Sequence, residues 1–249
     1  MIYLKSPDEI EKMRLANGIV VQVMRALEER IKPGVTTLEL DEKAEAIILA
    51  SEAKPAFKGY KGFAHTLCIS INEEVVHGIP SKRRLKEGDI VSIDCGVLRE
   101  GFYGDHAWTF PVGSVSKEAK KILEVGEKSL TLGIEQMKVG KRLFDISAVV
   151  QSYVEAQGFS VVRDFVGHGI GRELHEEPKL PNFGVAGTGI RLKPGLVLAF
   201  EPMVNAGTYE VETLQDGWTV VTKDKKLSVH FEHSVAITEE GPDILSQWR

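Results

Sequence analysis

Cysteine is scarce in this chain of 249 residues: Cys68 and Cys95 are the only two, too few for a disulfide framework and suited to a reducing compartment. Both read as packing residues. The N-terminus, MIYLKSPDEI, lacks the cationic start and apolar run of a secretory signal, and no segment approaches the roughly 18 consecutive apolar residues of a membrane span. Cytoplasmic residence without membrane attachment is therefore expected. Positive charge is also lacking, since 31 Lys and Arg stand against 36 Asp and Glu, for a formal net charge of -5. No basic field recruits nucleic acid, and specific DNA or RNA binding is not expected. What the chain does have is 43% hydrophobic residues, ample for a buried core in one large domain or two modest ones.

Ser6-Pro7-Asp8-Glu9 reads as a helix start, with Ser6 as cap, Pro7 in the first turn and Glu9 reaching back. That helix is expected to run to about Ile31, where Lys32-Pro33-Gly34 stops it. A second is expected from Thr36-Thr37-Leu38-Glu39 to Lys54-Pro55. The same order recurs, with one helix from Ser116 to near Lys138 and another from about Phe144 to Gly158. Lys32, Gly34, Glu39 and Leu40 match Lys138, Gly140, Asp145 and Ile146 at a constant offset of 106. Residues 86–94 match 193–201 at an offset of 107, and both segments end in a carboxylate, Asp94 and Glu201. An offset held across two regions argues for internal duplication, with halves of about 1–112 and 113–249 in one domain. The expected fold is α+β with pseudo-two-fold symmetry: antiparallel sheet from each half, paired helices outside, and a shared site at the midline.

Asp94 follows the apolar run Ile90 to Ile93, and Asp105 follows the turn signal Arg99-Glu100-Gly101. A hairpin turning between Arg99 and Glu100 would set the two acids directly opposite, where a cation relieves their repulsion. For the hairpin alone, solvated edge acids explain the pair equally well. Glu201 extends the set by symmetry, and Glu232 lies in Val229–Ile237, a candidate strand buried enough to make an unpaired carboxylate costly. Strand alternation turns His233 away from Glu232, and His106 away from Asp105, so both histidines read as structural. His168, between glycines in Val166-Gly167-His168-Gly169-Ile170-Gly171, is a candidate ligand, the other reading being a glycine-rich turn. No Gly-Lys-Ser/Thr sequence follows that would make it a phosphate loop. Four carboxylates carry about -4, which two divalent ions balance while a ligating imidazole stays neutral.

In this order, these residues resemble the type I bacterial methionine aminopeptidases, which have the pita-bread fold. The resemblance spans nearly the whole chain. It rests on residues 72–80 (NEEVVHGIP), Asp94-Cys95-Gly96, Gly104-Asp105, residues 167–171 (GHGIG), His175-Glu176-Glu177-Pro178, Glu201-Pro202-Met203 and Phe231-Glu232-His233. It implies two divalent metal ions (Co, Mn, Fe or Zn): Asp94 on one, Asp105 and Glu232 bridging, His168 and Glu201 completing the other. A water between the ions would be the nucleophile, with Glu201 shuttling its proton and His77 and His175 acting on the substrate. It further implies a methionine pocket of Tyr60, Phe63, Cys68, His77, Leu174 and Trp218, in which Leu174 and Phe63 depart from the family's frequent Phe and Tyr. The implied reaction is removal of N-terminal methionine from nascent polypeptides before a small second residue; a monomer is expected, with transient contact with the ribosome as a separate hypothesis. Prolidase-type and Xaa-Pro aminopeptidases share the ligand set but usually carry an extra N-terminal domain, for which the early first helix leaves no space. A non-catalytic peptide-binding relative would have lost the metal ligands, and all five are present.

Overall fold

The computed structural model describes residues 1–248, and Arg249 lies outside the described residues. The chain runs α1 (Pro7–Glu28), α2 (Thr37–Ala50), β1 (Lys54–Pro55), β2 (Leu67–Ile71), β3 (Glu74–Val76), β4 (Ile90–Arg99), β5 (Phe102–Pro111), α3 (Lys117–Ile134) and α4 (Leu143–Ala156). It continues β6 (Ser160–Val161), β7 (Gly167–Gly169), β8 (Glu176–Leu180), β9 (Val197–Phe200), β10 (Met203–Asn205), β11 (Val211–Thr213), β12 (Val220–Thr222), β13 (Ser228–His230), β14 (His233–Thr238) and β15 (Gly241–Ile244). The fold is α+β, as expected.

Local chemistry sets the helix starts. Ser6 Oγ accepts from Glu9 N while the Glu9 carboxylate accepts from Ser6 N, and Thr36 and Glu39 repeat the arrangement. Helix ends come earlier than expected. The chain turns at Glu29, whose neighbours Arg30 and Ile31 bond back to Leu27 O. Ser51 Oγ caps α2 by donating to Ile47 O, Glu52 takes a left-handed φ of 54°, and Lys54–Pro55, expected to end the helix, instead pair with β4. Helix α3 stops at Ile134, where Gln136 and Met137 bond back to Gly133 and Ile134.

The first half builds a sheet in which β4 pairs along its length with β5 on one edge and with β2 and then β1 on the other; the second builds the sheet β15-β14-β9-β7-β8. Two three-stranded sheets, β13-β10-β6 and β11-β12-β3, complete the set, and β12-β3 joins the halves. The expected repeat has geometric counterparts. The antiparallel bridge Thr36–Arg84 recurs as Arg142–Arg191, Glu39 bonding Thr36 N recurs as Asp145 bonding Arg142 N, and glycines 34 and 88 share left-handed φ with glycines 140 and 195. The main core lies between the helices and the two larger sheets. A second cluster, containing Phe57, Phe63, Cys68 and Leu174, sits on the opposite side of the sheets, against the site.

Candidate metal centre and apolar cavity

The β4–β5 hairpin carries the first two acids, though not in the expected register. Its two-residue turn is Glu100-Gly101, both left-handed at φ 50° and 80°, which sets Arg99 opposite Phe102. Asp94 therefore faces Ala107 and Asp105 faces Gly96. The two acids are diagonal, not opposite, but a shift of two residues keeps them on one face. Nor does Asp94 close its strand, because β4 continues to Arg99; Glu201, in contrast, does follow the last residue of β9. Glu232 is not inside a strand either. It occupies the break between β13 and β14, where its N–H donates to Ala107 O at 2.9 Å. Together with the Asp105–Ser234 pair of bonds, 3.2 and 2.8 Å, that contact ties the halves together beside the acids. His168 lies on β7, paired with Ala199 of β9, and not in a turn.

The structure brings all five expected ligands to one cavity, and atoms of Asp105, His168 and Glu232 lie within 4.8 Å of one another. Asp94 Oδ1, Asp105 Oδ1 and Glu232 Oε1 are buried without a hydrogen-bond partner. Such orphaned acceptors are costly unless a cation meets them. Burial, reinforced by neighbouring carboxylates, pushes Asp105 and Glu232 well above the usual carboxylate range; burial also raises Asp94, to about 7. Glu201 differs: burial pushes it up, but His230 and His168 pull it below its ordinary value. The His168 Nδ1–H donates to Gly169 O at 2.9 Å, which leaves the Nε2 lone pair facing the acids. These donors fit divalent ions.

His106 and His233 are on the other face. Their rings stack at 4.7 Å, His106 Nδ1 meets the Glu232 carbonyl, and His233 Nδ1 bonds Ser246 Oγ at 2.8 Å. His230 was overlooked in the sequence: its Nε2 is 3.2 Å from Glu201 Oε2, and it lies two positions before Glu232, the spacing that shares a strand face.

Tyr60, Phe63, Cys68, His77, Leu174 and Trp218 all line this cavity of about 190 Å³, with Phe57 and Lys61, which sequence reasoning did not single out. Phe63 and Trp218 meet edge to face at 5.0 Å. His77 takes a left-handed φ of 60° and packs against Phe165. Burial lowers the pKa of His77 and that of His175, the latter to about 4, so both rings are neutral at pH 7. Tyr60 Oη lies 2.9 Å from His175 Nδ1; with the hydroxyl donating, the Nε2–H is left free to donate.

Residues 11–239 match metallopeptidase family M24. A methionine aminopeptidase of Clostridium perfringens is 56% identical over 246 residues, covering 99% of both chains. The crystal structure of a Thermotoga maritima methionine aminopeptidase superposes with a TM-score of 0.98 at 46% identity, over 99% of this chain and 100% of that one. A Pyrococcus furiosus prolidase is more distant, with a TM-score of 0.81 and 26% identity, over 98% of this chain and 65% of the prolidase. Among the described residues, no helix is long and apolar enough to cross a membrane.

Proposed function

The chain belongs to metallopeptidase family M24 and is a metallo-aminopeptidase of the pita-bread fold, and from that premise we propose that it removes the N-terminal methionine of nascent proteins, with preference for a small second residue. The observation that carries the reading is an apolar cavity about as large as one amino acid, floored by orphaned carboxylates.

Asp94 would hold one divalent ion (Co, Mn, Fe or Zn), His168 and Glu201 a second, and Asp105 and Glu232 both. When bound, such ions polarise the scissile carbonyl and bring the pKa of water toward neutrality. The chain's own groups do the rest. Phe63, Cys68, Leu174 and Trp218 enclose the unbranched thioether, displace water and fix the scissile amide at the cavity floor. His77 and His175, kept neutral by burial, donate N–H to the oxygen on which charge develops. Glu201 stays ionised beside two imidazoles and is suited to take a proton from the attacking water and pass it to the leaving amine.

We read the chain as one catalytic domain with an internal duplication, working as a cytoplasmic monomer on chains emerging from the ribosome; the two buried free cysteines support the reducing compartment. Failure to co-sediment with ribosomes at low salt would count against the last point. The activity test is release of methionine from Met-Ala-Ser by metal-stripped protein supplied with Mn, Fe or Co. Cleavage only of peptides with proline in second position would transfer the chain to prolidase-like chemistry. Metal binding without any cleavage would leave a peptide-binding protein.

A further inference from the structure

The scheme above leaves one buried polar group beside the acids without a task. His230 is 2% exposed, and its Nε2 has no partner among the described residues other than Glu201 Oε2, 3.2 Å away. Burying an imidazole nitrogen costs free energy unless it is satisfied, and a carboxylate offers only acceptors, so the nitrogen facing it carries the proton. The other Glu201 oxygen, Oε1, lies 3.6 Å from His168 Nε2, which is a lone pair because Nδ1–H is committed to Gly169 O. One carboxylate thus stands between two imidazoles of opposite character, a donor at Oε2 and a bare acceptor near Oε1. Two acceptors facing each other call for a cation between them.

We propose that His230 is a positioning residue for Glu201: its Nε2–H holds Oε2, so that Oε1 is presented with His168 Nε2 to the same metal ion. The inference rests on the metal-dependent reading of the site. His230 is itself held on both sides. Its N–H donates to Thr109 Oγ1 at 2.9 Å, Thr109 Oγ1 lies 2.9 Å from His230 O and 2.8 Å from Ser92 Oγ, and the residue pairs with Met203 in the neighbouring strand. The Thr109 hydroxyl on β5 and the backbone of β10 thereby set where the ring reaches. Partners of this kind orient a ligand before the ion arrives, and their loss typically weakens metal binding about 10- to 100-fold.

Two variants of similar length separate donation from packing. His230→Gln keeps a side-chain N–H at comparable reach, whereas His230→Met fills the space without a donor. Calorimetric titration of Mn into stripped protein, with kcat and KM on Met-Ala-Ser, is read for each alongside the unaltered protein. The expected result is Mn affinity weakened at least tenfold in His230→Met, with kcat lowered and KM little changed, and both largely restored in His230→Gln. Equal losses in the two variants would reduce His230 to a packing residue, and affinity within threefold of the unaltered protein in both would remove its role altogether. Absence of Mn binding by the unaltered protein would overturn the metal reading itself, and the proposal with it.

Discussion

Asp94→Asn should stabilise the metal-free protein at pH 8 while weakening its response to metal. Burial raises the Asp94 carboxyl from an ordinary 3.8 to about 7, so between those values the folded state holds a proton that the unfolded chain has released. A raised carboxyl pKa makes stability fall as pH rises through that window, and the full cost is present above it. At roughly 1.4 kcal/mol per tenfold, the interval corresponds to about 4 kcal/mol at pH 8, as a ceiling shared with neighbouring acids, against about 1.6 kcal/mol at pH 5. The amide has nearly the same shape and no charge to bury. The variant's advantage in chelator should therefore grow by roughly 2 to 3 kcal/mol between pH 5 and pH 8, or on the order of 5–10 °C in Tm for a chain of this size. Urea unfolding at the two pH values, with and without Mn, measures it. The unaltered protein should gain stability from saturating Mn, about 2.7 kcal/mol at a hundredfold excess over Kd, and the variant should gain much less. An advantage equal at both pH values, or a variant less stable than the parent in chelator, would refute the reasoning.

Two further perturbations test how the cavity is supported. Lys5 Nζ lies 2.5 Å from Glu176 Oε2 with both side chains nearly buried, and Glu176 Oε1 accepts from the backbone of Arg172 and Glu173, the turn leading to Leu174 and His175. Lys5→Met should cost about 3 kcal/mol by stranding a buried carboxylate, and should lower kcat through His175; denaturant unfolding and steady-state kinetics check both. Gly78 follows His77, and a Cβ there would come 2.1 Å from Ile69 O, on β2 backbone that cannot yield without parting from β4. Gly78→Ala should cost about 3 kcal/mol and reduce kcat/KM, and a Tm within 2 °C of the parent, well short of the shift such a cost implies for this size, would contradict it.

How much could be seen in the sequence followed the range of the interactions. Ser6-Glu9 and Thr36-Glu39 were legible as helix starts because each cap is satisfied within four residues, whereas the ends were misplaced because α1 and α3 stop six residues before glycines 34 and 140. The four acids and His168 at the cavity could be singled out because carboxylates at the ends of apolar runs are anomalous, and the whole set resembled a family. The Asp94–Asp105 register was misjudged because the turn type, left-handed at both Glu100 and Gly101, slides the pairing by two residues, a choice that the hydrophobic pattern does not record. Alternation correctly turned His106 and His233 away from the acids, yet the same rule, applied two residues back from Glu232, would have pointed to His230.

The helix starts and the candidate acids were legible in the sequence alone, because capping, periodicity and turn chemistry act between near neighbours. The tertiary structure decided which atoms meet. Glu232 N reaches Ala107 O, Ser234 bonds Asp105, and His230 faces Glu201 only once β5, β13 and β14 are packed, across separations of more than a hundred residues in the first two cases. The physical reason is that a buried carboxylate is defined by its surroundings: the same side chain is a solvated edge acid or a metal ligand according to whether the opposite half of the chain removes its water.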